Sequence, residues 1–293
     1  MLSVVVPTNR LGLDTLFAGL RGQTFTDFEL LLVDELFSFR GGQYHGELEQ
    51  DLYHIGFDPR GPRWGRYMAS LNKGLERARG DRLLFLSDYT VCHPETIATH
   101  AKFHSEFPND VCLGGIEYCD TPPIHPDFPL RYGWAAIGHD VANHREDTYA
   151  PWLDDKRRHE LCEEWRIAYE TDLDSGKLDR FMYSTFAEPI RTFNQTECLR
   201  VFNRDMRDTS PFLNLKNDSI PRSLLEKIGG FDERADGTHG HQDSVTWKHL
   251  AKAGAKLQVL AENPVKILDA HSLMIIRRNE RPDDSNLGLY NSL

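Results

Sequence analysis

No stretch of the chain approaches the ~18 consecutive apolar residues that a membrane-spanning helix needs. The opening Met1-Leu2-Ser3-Val4 reads as a strand, with no basic segment and no cleavage site of a secretion signal. Cysteine is scarce: there are five, an odd number, and none is in CxxC spacing. That favours reduced thiols over a disulfide framework, and both features together predict a cytoplasmic protein. Positive charge is also short, with 34 Lys and Arg against 45 Asp and Glu and a net charge of -11. A broad basic face for nucleic acid is therefore disfavoured. Arg60, Arg63 and Arg66, and Lys156-Arg157-Arg158, are the local exceptions. Internal repeats and low-complexity tracts are absent, and the 293 residues are enough for one large α/β domain or two small ones.

What is present is an alternation of apolar strands and amphipathic helices. Residues 3–7 (SVVVP), 28–34 (FELLLVD) and 82–86 (RLLFL) are short β-branched or leucine-rich runs that read as buried parallel strands. Residues 52–55 form a weaker strand and residues 111–117 a further one, with Cys112 in its apolar core. Helices are predicted over 14–20, 64–79 and 94–107. The pattern predicts a mostly parallel sheet covered on both faces. Residues 118–208 break it with a Pro-rich run, Trp134, Trp152 and an amphipathic segment containing Leu161 and Trp165. They read as an insertion on the acceptor side between halves spanning 1–117 and 209–293. Helices over 220–228 and 243–253, a Gly229-Gly230 break and a strand over 256–260 follow.

Ligands of parallel α/β sheets bind at the carboxyl ends of the strands. There the sequence places Pro7, Thr8, Asn9 and Arg10, then Asp34 and Glu35, then Ser87, Asp88, Tyr89 and Thr90. Any one of these is an ordinary cap or turn former. Three polar clusters at three strand ends point to one crevice. His100 and His104 share a helix face at i, i+4, a spacing that suits zinc. Without an acid in HExxH form, an exposed or packing role is favoured for them over a metal site.

The segments SVVVPTNR (3–10), QTFTDFELLLVDE (23–35), SLNKGLERARGDRLLFLSDYTVCHP (70–94), NDSIPRSLLEKIGGFDE (217–233) and HGHQDSVTWKHLAKAG (239–254) occur in that order. Together they resemble the inverting family 2 glycosyltransferases of the GT-A fold, a Rossmann-like mixed sheet with helices on both faces. The resemblance implies transfer of a sugar from a nucleotide-diphosphate donor, a UDP-sugar, to a hydroxyl acceptor. It implies that Pro7, Thr8, Arg10 and Asp34 hold the nucleoside, with Ser87, Asp88 and Asn217 lining the donor site, and that Asn72 either braces that site or caps a local turn. Asp243, in Gln242-Asp243, matches the family's general base. An Asp at a helix start is also favoured by the helix dipole. The family's Asp-x-Asp metal motif is reduced here to Ser87-Asp88-Tyr89. Two readings stand: Asp88 and His271 hold Mn²⁺ or Mg²⁺, or Asp88 holds sugar hydroxyls and Arg or His side chains neutralise the phosphates. His239 and His241 read as exposed loop residues. The reduced motif and Gln242 keep open a non-catalytic nucleotide- or glycan-binding relative; a further rival, a transferase acting on a modified nucleic-acid base, would need a local basic groove near Asp243, and the net charge of -11 counts against it.

Overall fold

The computed structural model describes residues 1–8, 13–35, 37, 41–42, 44–57, 66–88, 90–119, 191–193, 213, 215–236 and 242–268. In chain order the elements are β1 (Leu2–Thr8), α1 (Asp14–Arg21), β2 (Phe28–Asp34), β3 (Leu52–Gly56), α2 (Tyr67–Arg77), β4 (Arg82–Leu86) and β5 (Thr90–Val91). Next come α3 (Thr96–Glu106), β6 (Val111–Cys119), β7 (Arg191–Phe193), β8 (Asn217–Pro221), α4 (Arg222–Ile228), a 3₁₀ turn (Glu233–Ala235), α5 (Gln242–Lys252) and β9 (Leu257–Leu268). The strands form one sheet in the order β3-β2-β1-β4-β8-β6-β9-β5, with β7 beside β6. β1, β2, β3, β4, β6 and β9 run one way, and β5, β7 and β8 run the other. The mostly parallel mixed sheet expected from the strand and helix pattern is the one observed.

Alternation along the strands divides the core. Val4, Val6, Leu30, Leu32, Leu84 and Leu86 face one side and pack with Leu13, Leu16, Phe17 and Leu20 of α1 and its approach. Val5, Leu31, Leu83 and Phe85 face the other and pack with Met68 and Leu71 of α2 and Leu225 of α4. Every residue of β2 is buried, which explains its near-continuous apolar run. α2 lies close on β1 because residue 74 is glycine: a Cβ there would fall 2.5 Å from Val5 Cγ1.

Several boundaries differ from expectation. Residues 217–221 are a buried antiparallel strand, and the helix predicted from 220 begins at Arg222. The polar NDS triplet hid the strand, because Asn217 and Ser219 are satisfied by internal hydrogen bonds. β9 runs on to Leu268 through Asn263, held at φ 50°, and Pro264. Within 118–208, Tyr118 and Cys119 extend β6, and Arg191–Phe193 returns to pair with it, so part of that region belongs to the sheet. Cys92 and Cys112 are free and buried, and burial pushes the Cys92 thiol up to about 12.

Candidate functional site

The connection β1-α1-β2 steps one way across the sheet, and β3-α2-β4 steps back past β1. The direction reverses between β1 and β4, which makes their carboxyl ends the crevice where such sheets bind ligands. The β1–β4 pairing ends at Val5↔Phe85, so Pro7 and Thr8 extend β1 beyond it. Across this gap the Thr8 hydroxyl donates to Asp88 Oδ2 at 2.9 Å, and both residues are buried. Thr8 lies in register with Asp34 on β2, and Glu35 N–H donates to Thr8 carbonyl oxygen at 3.0 Å. The structure thus brings Thr8, Asp34 and Asp88 to one sheet edge.

Each of these side chains is fixed by its neighbours. Asp34 is 0% exposed, and His54 Nε2 meets its Oδ2 at 2.6 Å. Ser87 Oγ lies 3.0 Å from Thr90 Oγ1, and Thr90 N–H donates to Ser87 carbonyl oxygen, closing the turn that presents Asp88. Thr90 pairs with Ile267, so the end of β9 runs alongside that turn. The opposite edge carries a buried carboxylate of structural type. Burial would raise the Glu29 pKa, but Ser3 and the Arg79 backbone and guanidinium bond the carboxylate and lower it.

α5 carries Asp243 to the same edge from the other half of the chain. α2 runs back against the strands, so its first residues lie at their carboxyl ends. Its N-cap, Arg66, makes no side-chain cap bond. Asp236 replaces it, accepting from Met68 N–H at 2.7 Å and Ala69 N–H at 3.0 Å. Burial raises the Asp236 pKa, opposed by those two bonds. Thr246 of α5 sits 3.9 Å from Met68 Sδ, which sets the start of α5 beside the start of α2. Asp243 is half-buried there, and its Oδ1 accepts from Ser244 N–H at 2.8 Å. Asp236 carried no motif; its position between the GGFDE turn and Asp243 was the one signal available.

Two further residues of the family pattern, Asn72 and Asn217, make internal hydrogen bonds. Asn72 accepts from Phe231 N–H at 2.7 Å and donates to Phe231 carbonyl oxygen and Glu233 Oε1, each at 2.9 Å. Both ends of its amide brace the turn at Gly230, whose φ of +87° demands glycine. Asn217 was expected to line the sugar pocket. It is 1% exposed, donates to Gly115 carbonyl oxygen at 2.8 Å and accepts from His100 Nε2 at 3.0 Å. His100 Nδ1 and His104 Nε2 each lie 2.8 Å from Ser219 Oγ. Because Asn217 Oδ1 only accepts, His100 Nε2 carries the proton, Ser219 donates to Nδ1, and His104 Nε2 donates to Ser219. Burial pushes His100 down to about 4 and His104 down to about 3, the latter with help from the neighbouring His100. The two histidines pack α3 onto β8, the packing alternative of the two roles expected for them.

Among the described residues, no group of three or more His, Cys, Asp or Glu side chains is placed to hold a metal ion. No described helix is long and apolar enough to cross a membrane. Arg10, Tyr89, His239, His241, His271, Trp134, Trp152 and Trp165 lie outside the described residues.

The model of glycosyl transferase family 2 matches residues 3–151, more than half of the chain. No curated protein sequence matches it. Among solved structures, S. aureus TarS 1-349 is 15% identical, with a TM-score of 0.49, over 95% of this chain and 63% of that one. TarS 1-349 in complex with UDP-GlcNAc is 15% identical, TM-score 0.48, over 92% and 58%. The mannosyltransferase PcManGT of Pyrobaculum calidifontis, in complex with GDP-Man and Mn²⁺, is 15% identical, TM-score 0.49, over 97% and 65%. The chain spans less than two thirds of each of these proteins.

Proposed function

The chain belongs to glycosyl transferase family 2, and from that premise we propose that it transfers a sugar from a nucleoside diphosphate, as a UDP-sugar, to a hydroxyl acceptor with inversion. The observation that carries this reading is the Thr8–Asp88 hydrogen bond at the β1–β4 crevice, with Asp34 in register beside it. Pro7, Thr8, Arg10 and Asp34 take the nucleoside. A carboxylate suits that place because it accepts from base N–H and ribose hydroxyl groups. Ser87 and Asp88 take the diphosphate and sugar end. The turn closed by Thr90, together with Thr8, holds the Asp88 carboxylate before the donor arrives, so little ordering is left for binding to drive.

Asp243 is the general base of the proposal. It removes the acceptor hydroxyl proton as the oxygen attacks the anomeric carbon from the face opposite the leaving diphosphate. Its position at the start of α5 supports the role, because Asp236 and Met68 tie that helix start to the donor half. The single carboxylate at Asp88 leaves a protein-held metal incomplete without His271 and the diphosphate oxygens. A bound Mn²⁺ or Mg²⁺ would neutralise charge on the departing diphosphate.

A thermal-shift panel of nucleotide sugars, with and without Mn²⁺ and Mg²⁺, tests the reading. It expects stabilisation by at least one nucleotide sugar, and release of its nucleoside diphosphate on turnover. Absence of any shift across the panel contradicts it.

A further inference from the structure

Met68, at the start of α2, is held from both sides of Asp243. Its N–H donates to Asp236 Oδ1 at 2.7 Å, and its Sδ lies 3.9 Å from Thr246 Oγ1. Asp243 stands between those two residues in sequence. On the far side, Thr246 is buried, and its hydroxyl donates to Gln242 carbonyl oxygen at 3.0 Å, fastening the first turn of α5. The near side depends on Asp236. Its two oxygens accept from the N–H groups of Met68 and Ala69, the second and third residues of α2. Those are the donors that an N-cap side chain ordinarily satisfies. The N-cap position itself holds Arg66, whose guanidinium has no acceptor to offer. A Ser or Asp at position 66 would cap α2 without joining it to anything. A cap supplied from the approach to Asp243 joins the two halves of the chain.

Other links in this turn are weaker or further back. Glu233 meets Arg66 at 3.6 Å, a partly exposed pair that contributes little, and Arg66 lies over the Phe57 ring at 5.4 Å. The Asn72 amide holds Phe231 and Glu233. Asp236 is the last described residue before Gln242, so its two bonds set where the approach to Asp243 begins.

We propose that Asp236 is a positioning residue for sugar transfer: by capping α2 it fixes the start of α5, and with it the Asp243 carboxylate, relative to the donor edge of the sheet. The inference rests on the reading of Asp243 as general base and adds the residue that sets its place. Proton removal is sensitive to such placement, because a shift of about 1 Å costs on the order of 10²-fold in rate. Asp236 touches no reacting atom; it acts through Met68, Ala69 and the helix start they define. The donor is held by the ends of β1, β2 and β4, so losing Asp236 shows in the chemical step and not in donor affinity.

Single-turnover transfer and calorimetric donor binding in D236N and D236A test this, each substitution also made in the D243N background. The donor is the nucleotide sugar that stabilises the wild type most. D236N keeps the shape and one acceptor oxygen and lowers transfer by roughly tenfold; D236A lowers it by roughly 100-fold; donor Kd stays within about threefold of wild type in both. A cap with no further role would lower only the melting temperature. In D243N the same substitutions change residual transfer by less than about twofold, because the group they position is gone. Wild-type transfer in folded D236N and D236A overturns the positioning role. So does an equal fold-loss in the D243N background, or a donor Kd that rises as much as transfer falls. In each of these cases the transferase reading stands. Wild-type transfer in D243N overturns the base assignment and the positioning role with it. A wild-type protein that releases no nucleoside diphosphate from any nucleotide sugar overturns the transferase reading and the positioning role together. If D236A fails to fold, D236N carries the test through the same comparison.

Discussion

The Thr8 hydroxyl donates to Asp88 Oδ2 at 2.9 Å across 80 positions of sequence, joining the ends of β1 and β4 where the sheet changes winding direction. Removing the hydroxyl while keeping the shape isolates its contribution. T8V lowers donor turnover by roughly 10- to 100-fold, the range for losing a hydrogen bond to a charged group. Steady-state release of nucleoside diphosphate checks this. Unchanged turnover in T8V detaches the bond from the chemistry.

Asn72 separates a brace from a binding group. Its amide bridges α2 to Phe231 and Glu233. N72A is expected to lower unfolding free energy by about 1–3 kcal/mol in urea melts, since it leaves buried backbone groups unpaired. Donor KM stays at the wild-type value. A raised KM with unchanged stability would return Asn72 to the donor site.

The buried imidazoles predict acid sensitivity. His100 and His104 titrate near 4 and 3 in the fold, against an ordinary value of 6.5. Above 6.5 both states hold neutral rings and stability is full. Below 6.5 the unfolded chain takes up protons that the fold refuses. Stability therefore falls as pH drops from 6.5 toward 4, by roughly 1 kcal/mol per pH unit for each imidazole. Urea midpoints between pH 7 and 4.5 measure this. The slope is reduced in H104L, and a slope equal to the wild type's contradicts the assignment.

Much of this was legible from apolar pattern. The β2 run FELLLVD reads as a strand covered on both faces, and it is one. Of the polar residues assigned to the strand ends, Thr8, Asp34, Ser87 and Asp88 sit at the carboxyl ends of β1, β2 and β4. β8 escaped detection because its stability comes from a polar network: Asn217 and Ser219 look like a turn until His100 and His104, more than 110 positions away, satisfy them. Asn217, expected at the sugar pocket, takes part in that network. Asp236 and His54 act through partners that only tertiary folding brings near. Nothing in local spacing announces a carboxylate that caps a helix 167 positions away.

Asp243 carries the proton-transfer part of the proposal. D243N keeps the hydrogen-bonding shape and removes the base. Donor binding is expected to stay within about twofold, while transfer falls by roughly 10²- to 10⁴-fold. Calorimetry with the donor and single-turnover transfer measure the two effects separately. Transfer at the wild-type rate removes Asp243 from the role.

Hydrogen–deuterium exchange bears most directly on where the donor sits, using the nucleotide sugar that raises the melting temperature most. Binding is expected to slow exchange at the ends of β1, β2 and β4, around Thr8, Asp34–Glu35 and Ser87–Asp88. Unchanged exchange at those three ends, with protection appearing elsewhere, contradicts the account.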